Sequence, residues 1–388
     1  MPESISFMHV NSIETIGPDN WCQCFGQSNP FNRYEFLSAL EQSRCINLDT
    51  GWQPYHLMVT DSKTQKLVAV MPMYIKHHSW GEYVFDWAWA EAYERNGLGY
   101  YPKLVTSIPF TPSVGTRIGL TDELTPAEQT SLLSKVNDYL VEHINQHGFS
   151  SWHGLFVTSN ENTLWPKQGV ISRHGVQFHW VNHQYNNFDD FLNRMTSRKR
   201  KTIKKERAKL AQYNLKFSFV IGSEASDDDW QHFIDCYQIT YHKRSGHSGY
   251  LSGAFFKLLK QFMGQDIRLL LVSDESGNKL ACALFFVSQT HLYGRYWGTK
   301  QELDGLHFET CYYQGIEYAI EHGLAIFDAG AQGEHKVARG FEPVTTFSKH
   351  LVAHEQFADA IGHYCKQEQL HMSLYQQQMT NMLPFKSK

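Results

Sequence analysis

Two stretches of this chain repeat one pattern. Residues 59–74, VTDSKTQKLVAVMPMY, and residues 272–287, VSDESGNKLACALFFV, align without a gap at an offset of 213 residues. Each is an apolar run, an Asp (Asp61 or Asp274) opening a polar turn, a Lys-Leu pair (Lys66 and Leu67, or Lys279 and Leu280), and a second apolar run. Such a pattern marks a β-hairpin. Its recurrence at matching places in two halves predicts duplicated domains. The surroundings repeat as well. Residues 126–147 read as a helix leading into the strand SWHGLFVTS, 151–159. In the second half HFETCYYQGIEYAIEHGL, 307–324, has helical spacing, ends at Gly323 and leads into the strand AIFDA, 325–329. The first half carries extra residues, 87–121, whose glycines, prolines and aromatics suit an ordered functional loop. At 388 residues the chain is long enough for two cores. The expected fold class is α/β (α+β), with one domain over residues 1–190, a basic linker helix over 191–212 and a second domain over 213–388. Each domain is expected to be a mixed central sheet flanked by helices.

Composition narrows the function classes. Formal net charge is −4, so no global field draws the protein to nucleic acid or membrane. The seven cysteines are scattered, with no C-x-x-C pair, which suits reduced thiols in a cytoplasmic protein. The N-terminal MPESISFMHVNSIETIG lacks the basic and then apolar run of a signal peptide, and no stretch is apolar enough for an integral membrane span. The 21 histidines include no H-x-x-x-H with a nearby acid on a convincing helix, so no metal site is expected.

Between the halves, RMTSRKRKTIKKERAKL (194–210) is the one strongly basic segment. From Arg194 to Lys209, nine of sixteen residues are Lys or Arg, and Glu206 is the only acid. On a helix these cations cover most of the circumference. The segment is either a solvated linker or an anion contact through Arg198, Lys199, Arg200, Lys201, Lys204 and Lys205. It lacks the interleaved aromatics of a base-stacking surface.

Five stretches resemble the FemAB-like predicted N-acyltransferases of the GNAT superfamily. They are HSWGEYVFDWAWAEAY (78–93), YYPKL (100–104), PFTP (109–112), the basic SRKRKTIKKER (197–207) and GAQGEHKVARGFEP (330–343). The resemblance spans roughly residues 29–350. It implies tandem GNAT-like domains, in agreement with the internal repeat, and transfer of an acyl or aminoacyl group to a small-molecule or peptide amine. Acyl-CoA or aminoacyl-tRNA is the implied co-substrate, with no tightly bound cofactor. A tRNA partner would use the basic linker helix, and oligomeric state is left open. The chain departs from its relatives twice. It lacks the long helical-hairpin insertion of the Fem-type peptidyltransferases. Its GRYWGTKQELDGLHFE (294–309) has Gly298 and Gly305 at the wrong spacing for a CoA pyrophosphate loop.

Acyl transfer to an amine needs a base, donors for the developing oxyanion, and proximity. Glu334 and His335 are the candidate bases, with Tyr293 as an acid for the leaving group. Lys336 and Arg339 suit a phosphate or carboxylate, and Asp328, closing its strand, can orient one of these. Tyr293 and Arg295 alternate on a strand and share a face, with Tyr296 opposite. In the first half Tyr101, Lys103 and Arg117 can line an acceptor cleft or simply pack. Against the transferase stands one alternative: a catalytically inactive GNAT-like protein that binds RNA or another anion through the basic helix.

Overall fold

Both hairpins form, at the matching places. The computed structural model describes residues 5–331 and 333–386. Gln332 of the polar segment lies outside them. Along the chain the strands are β1 (Ile5–Val10), β2 (Trp52–Pro54), β3 (His56–Asp61), β4 (Leu67–Met71), β5 (Met73–Lys76), β6 (Lys103–Thr106), β7 (Gly119–Leu120) and β8 (Ser151–Val157). They continue with β9 (Ile171–Val181), β10 (Lys216–Ile221), β11 (Ile267–Ser273), β12 (Lys279–Val287), β13 (His291–Thr299), β14 (Ile326–Asp328) and β15 (Glu342–Val352). The hairpins are β3–β4 and β11–β12.

The chain divides into two units that are not consecutive. One is Met1–Val176 with Thr345–Leu374, the other Gln177–Val344 with Tyr375–Lys388. The expected division at 190 and 212 is therefore redrawn. The basic helix, Ser197–Ala211, is part of the second unit. Residues 345–374 return to the first unit because β15 pairs antiparallel with β8, from Phe347↔Val157 to Val352↔Ser151. Ile361 and Cys365 of the following helix (Glu355–Asn381) also bury against Trp89, Tyr93 and Tyr100.

In the first unit, strands β1-β3-β4-β7 form one ladder, and β2, β5, β6, β8 and β15 form another in that order. In the second unit the order is β10-β11-β12-β13-β14, closed by the end of β9. Each unit repeats one plan. An antiparallel meander is followed by one short parallel pair: β6 with β8 over Leu104↔Trp152 to Thr106↔Gly154, and β13 with β14 over His291↔Ile326 to Tyr293↔Asp328. An antiparallel strand then closes the sheet. That closing strand, β15 in the first unit and β9 in the second, comes from outside the half of the sequence that supplies the rest.

Helices bury these sheets through ordinary amphipathic stripes. Pro126–Gln146 starts at a Thr125–Glu128 capping box and turns Leu132, Leu133, Val136, Leu140 and Ile144 onto Leu57, Val59, Ala69 and Trp152. Each such side chain contributes roughly 1.5–3 kcal/mol by leaving water. In the second unit, Asp227–Ser245 starts at a Ser226–Asp229 capping box and ends at Gly246 in the left-handed region. The expected loop over 87–121 holds a helix, Trp87–Arg95, and the strand β6.

Gly298, one of the two glycines considered for a CoA loop, lies inside β13 against that second-unit helix. A Cβ there would stand 1.9 Å from the Cys236 carbonyl oxygen and 2.7 Å from Thr240 Oγ1. A helix carbonyl cannot step aside, so Gly298→Ala is expected to cost about 3 kcal/mol. The urea-unfolding midpoint reads this, and an unshifted midpoint would contradict the close approach.

Candidate functional site

The parallel ladder of the second unit stops after three residue pairs, and β13 is bulged just beyond it. Phe285 pairs with Gly294 while Leu284 pairs with Tyr296, which leaves Arg295 as the extra residue. A bulge re-aims a side chain. The Arg295 guanidinium crosses to the end of β14 and grips Asp328, with Nη2–Oδ2 at 2.7 Å and Nη1–Oδ1 at 3.2 Å. The Gly330 N–H donates to Asp328 Oδ1 at 2.9 Å, and His179 Nε2 of β9 lies 3.8 Å from the same oxygen. Lys336 Nζ closes the group by donating to the Gly330 carbonyl at 2.6 Å. The Tyr293 ring lies beneath Arg295, 5.4 Å from the guanidinium carbon.

Arg295, Asp328 and Lys336 are buried, and their protonation follows from their neighbours. Burial alone would raise the Asp328 carboxyl, but Arg295 and then His179 hold it well below the usual carboxylate range. Burial pushes the Lys336 ammonium down to about 8, with Asp328 opposing. Burial pushes the Tyr293 phenol up to about 12, which keeps it protonated.

The remainder of the polar segment has other hydrogen-bond partners. Residues Glu334–Arg339 form a 3₁₀ helix that buries Lys336, Val337 and Arg339 and exposes Glu334 and His335. Glu334 Oε1 accepts from Tyr375 Oη at 2.8 Å, directing it to the C-terminal helix and not to Asp328. His335 Nε2 lies 2.8 Å from Tyr312 Oη. Burial, then Arg339 and Lys336, holds its imidazole below the ordinary value and so neutral at pH 7. Arg339 lies 3.5 Å over the Phe308 ring. Its Nη1 donates to the His335 carbonyl at 2.9 Å, and its Nη2 to both Glu206 oxygens at 3.0 and 2.9 Å. Tyr313 Oη also donates to Glu206. A π turn over Glu309–Tyr313 makes both aromatic contacts possible, sending Tyr312 to His335 and Tyr313 to Glu206.

The lone acid of the basic run is thus what docks that helix. Several of its cations are also engaged. Arg207 bonds both Glu309 and Glu317 and lies 4.6 Å over Phe188, Lys204 pairs with Asp189, Lys209 with Asp304, and Arg200 bonds Asn193. Arg198, Lys201 and Lys205 are exposed, and Lys199 partly so.

The first-unit candidates gather separately. Lys76 and Lys103 are register partners on β5 and β6, and each is 0 % exposed. Lys103 Nζ donates to Ser79 Oγ at 2.8 Å, Glu82 Oε2 at 2.8 Å and Asp86 Oδ2. Tyr101 Oη shares Ser79 Oγ at 2.8 Å, and Tyr100 Oη donates to Asp86 at 2.6 Å. His153 and His350, register partners on β8 and β15, bring their Nδ1 atoms to 2.6 Å. Burial pushes Lys76 down to about 6 and Glu82 up to about 7, so this face can hold two ammonium groups and two carboxyls without four full charges. Arg117 lies past the β6–β8 ladder. It donates to the carbonyls of Leu155 (2.7 Å), Ser113 (2.5 Å) and Thr116 (3.1 Å). Its guanidinium stitches a loop to β8.

Sequence reasoning missed Glu206, Tyr312, Phe308 and His179. The first three had a signal, an acid alone among cations and an aromatic-rich helix start. His179 had none, because it arrives on the exchanged strand. Among the described residues no group of three metal-ligating side chains occurs, and no helix is long and apolar enough to cross a membrane.

A model of the FemAB-like family, described as peptidoglycan biosynthesis/recognition, matches residues 12–387. No curated protein matches. Among solved structures, FemX is 12% identical over 92% of this chain and 100% of its own, with a TM-score of 0.53. The C-terminal domain of a protein assigned as a lysylphosphatidylglycerol synthetase, from Agrobacterium fabrum, is 10% identical over 90% of this chain and 94% of its own, with a TM-score of 0.51. A protein of unknown function from Bacteroides thetaiotaomicron is 12% identical over 89% and 98%, with a TM-score of 0.50. At such low identity these likenesses show a shared fold alone; the matching sheet plans of the two units agree with the duplication expected from the repeat.

The first-unit cluster yields a stability test. Removing one partner of a buried ion pair strands the other, at about 3–5 kcal/mol. Lys103→Met is expected to lower stability by that amount in urea unfolding. A midpoint equal to the parent's would show that Glu82 and Asp86 do not depend on this ammonium.

Proposed function

The chain belongs to the FemAB-like family, and from that premise we propose that it moves an acyl or aminoacyl group from an activated donor to an amine by direct transfer. One observation carries this reading: a fixed cationic donor, Lys336, is held by the turn that follows the Arg295–Asp328 pair, where the parallel ladder of the second unit opens. Donors held in place before reaction stabilise a carbonyl oxygen as it gains charge. Arg295 is spent on Asp328, which leaves Lys336 as the donor with N–H bonds to offer beyond its one carbonyl partner. His335, on the same 3₁₀ helix and neutral at pH 7, is the base.

The amine nitrogen attacks the carbonyl carbon, and the C–N bond forms. The bond from that carbon to the leaving oxygen or sulfur breaks. The proton lost by the amine passes to His335 and returns to the leaving atom. Substrate binding in register supplies the remaining acceleration. Glu334, turned to Tyr375, has no part in these steps.

The donor is an aminoacyl ester such as aminoacyl-tRNA in preference to acyl-CoA. The segment between β13 and the helix that follows, where a GNAT enzyme would cradle pyrophosphate, carries exposed Glu302 and Asp304. They pair with Lys243 and Lys209 at 2.6 Å each. Each carboxylate thus takes up a lysine that a pyrophosphate would otherwise engage. The inactive, anion-binding alternative keeps the basic helix as its sole functional surface.

Two experiments test the reading. Screening labelled aminoacyl-tRNAs and acyl-CoAs against amine acceptors is expected to give transfer from the ester. Consumption of no donor would favour the inactive alternative. The pH–rate profile is the second. His335 must be neutral and Lys336 charged, so the rate is expected to level off below pH 7 and fall near pH 8 as Lys336 loses its proton. Lys336→Arg keeps its charge and should move that fall upward, while Lys336→Met should lower kcat by about 10²–10³. A falling limb that Lys336→Arg leaves in place would sink the assignment.

A further inference from the structure

A separate cavity, with none of Arg295, Asp328 or Lys336 in its lining, adjoins the end of the 3₁₀ helix. It encloses about 260 Å³ between the basic helix and residues 338–339. Its polar lining is Arg198, Lys199, Thr202, Glu206, Tyr313 and Arg339, and Ile203 and Ala338 supply the apolar wall. Three cations thus face one carboxylate. Arg339 is 6% exposed, and its Nε has no hydrogen-bond partner among the described residues. A buried donor left unpaired costs free energy that an incoming acceptor would recover. Arg198 and Lys199 stand in the first turn of a 15-residue helix with no acid in that turn and no side-chain bond from its N-cap, Thr196. The positive end of that helix therefore adds to the cavity's field.

From this lining we propose that the cavity binds a phosphate group, free or as a small phosphomonoester. The planar Arg339 fork suits two oxygens of a tetrahedral anion. The volume falls just below the range of small-molecule pockets, about 300–1,000 Å³, which leaves room for a phosphate and a few attached atoms. A folded RNA would meet the exposed cations of the helix, Arg198, Lys201 and Lys205 among them, and not the buried Arg339. Glu206 holds Arg339 in the absence of ligand and competes with the anion for it. The site stands or falls independently of acyl transfer, since its test reads binding alone.

Isothermal titration of the full chain with inorganic phosphate and with ribose 5-phosphate, at low ionic strength, tests it. One saturable site is expected, weakened at least tenfold in the R198A/K199A double variant. Glu206→Gln removes the competing charge and should tighten binding several-fold. The K201A/K205A control, which alters cations outside the cavity, should leave binding as it was. Binding of ribose 5-phosphate alone assigns the monoester, and binding of inorganic phosphate alone assigns the free ion. Binding of neither overturns the proposal. So does equal weakening by the two double variants, or capture of a single-stranded RNA oligonucleotide in place of both small probes.

Discussion

The second unit is organised by the buried pair of Arg295 and Asp328. Taking two charges out of water costs several kcal/mol per ion, and a buried pair repays this only with good geometry and further hydrogen bonds. Here the pair is bidentate, and Gly330 and His179 attend the remaining carboxylate valence. Four separate segments must be correctly placed for that: the bulge of β13, the end of β14, the turn after it and the end of β9. Lys336 then hangs from the same turn. The position of the polar segment follows from how one carboxylate is satisfied.

The repeat makes the two units comparable, and the comparison is informative where they differ. Each has a three-pair parallel ladder that opens at one end. In the first unit Arg117 fills the space past the ladder by donating to main-chain carbonyls, so that end is stitched shut. In the second unit an arginine again reaches across, but to a carboxylate, and a lysine of lowered pKa stands beside it. The first unit's buried lysines and their carboxylates lie at the other end of β6, where Lys103 fastens residues 79–86. One copy thus invests its arginine in loop architecture and the other in a charged cluster.

The basic helix shows how a surface-like sequence acquires a fixed seat. Glu206 is the only acid in a run of cations, and it receives Arg339 and Tyr313 together. Arg207 anchors the opposite side through Glu309, Glu317 and Phe188. The helix belongs to the second unit because of these contacts, with only Ile203 and Leu210 buried as apolar anchors.

Much of this was legible in the residues. Local patterning specifies hairpins, capped helices and strand ends, because alternation, turn chemistry and capping act over a few residues. The repeat at an offset of 213 residues therefore announced two related units, and the polar cluster after residues 325–329 announced a charged strand end. Other features depend on pairing between residues far apart in the chain, which local patterning does not encode. The closing strands β9 and β15 come from outside their own halves, so the expected boundaries at 190 and 212 moved, and His179 entered the Asp328 group unannounced. The division of labour within GEHKVAR was likewise decided in three dimensions. A 3₁₀ turn sends Lys336 toward Gly330 and Arg339 toward Glu206, while Glu334 is left to Tyr375. Sequence named the charged groups, and only the tertiary packing, by setting which of them lose their water and which find a partner, decided what each one does.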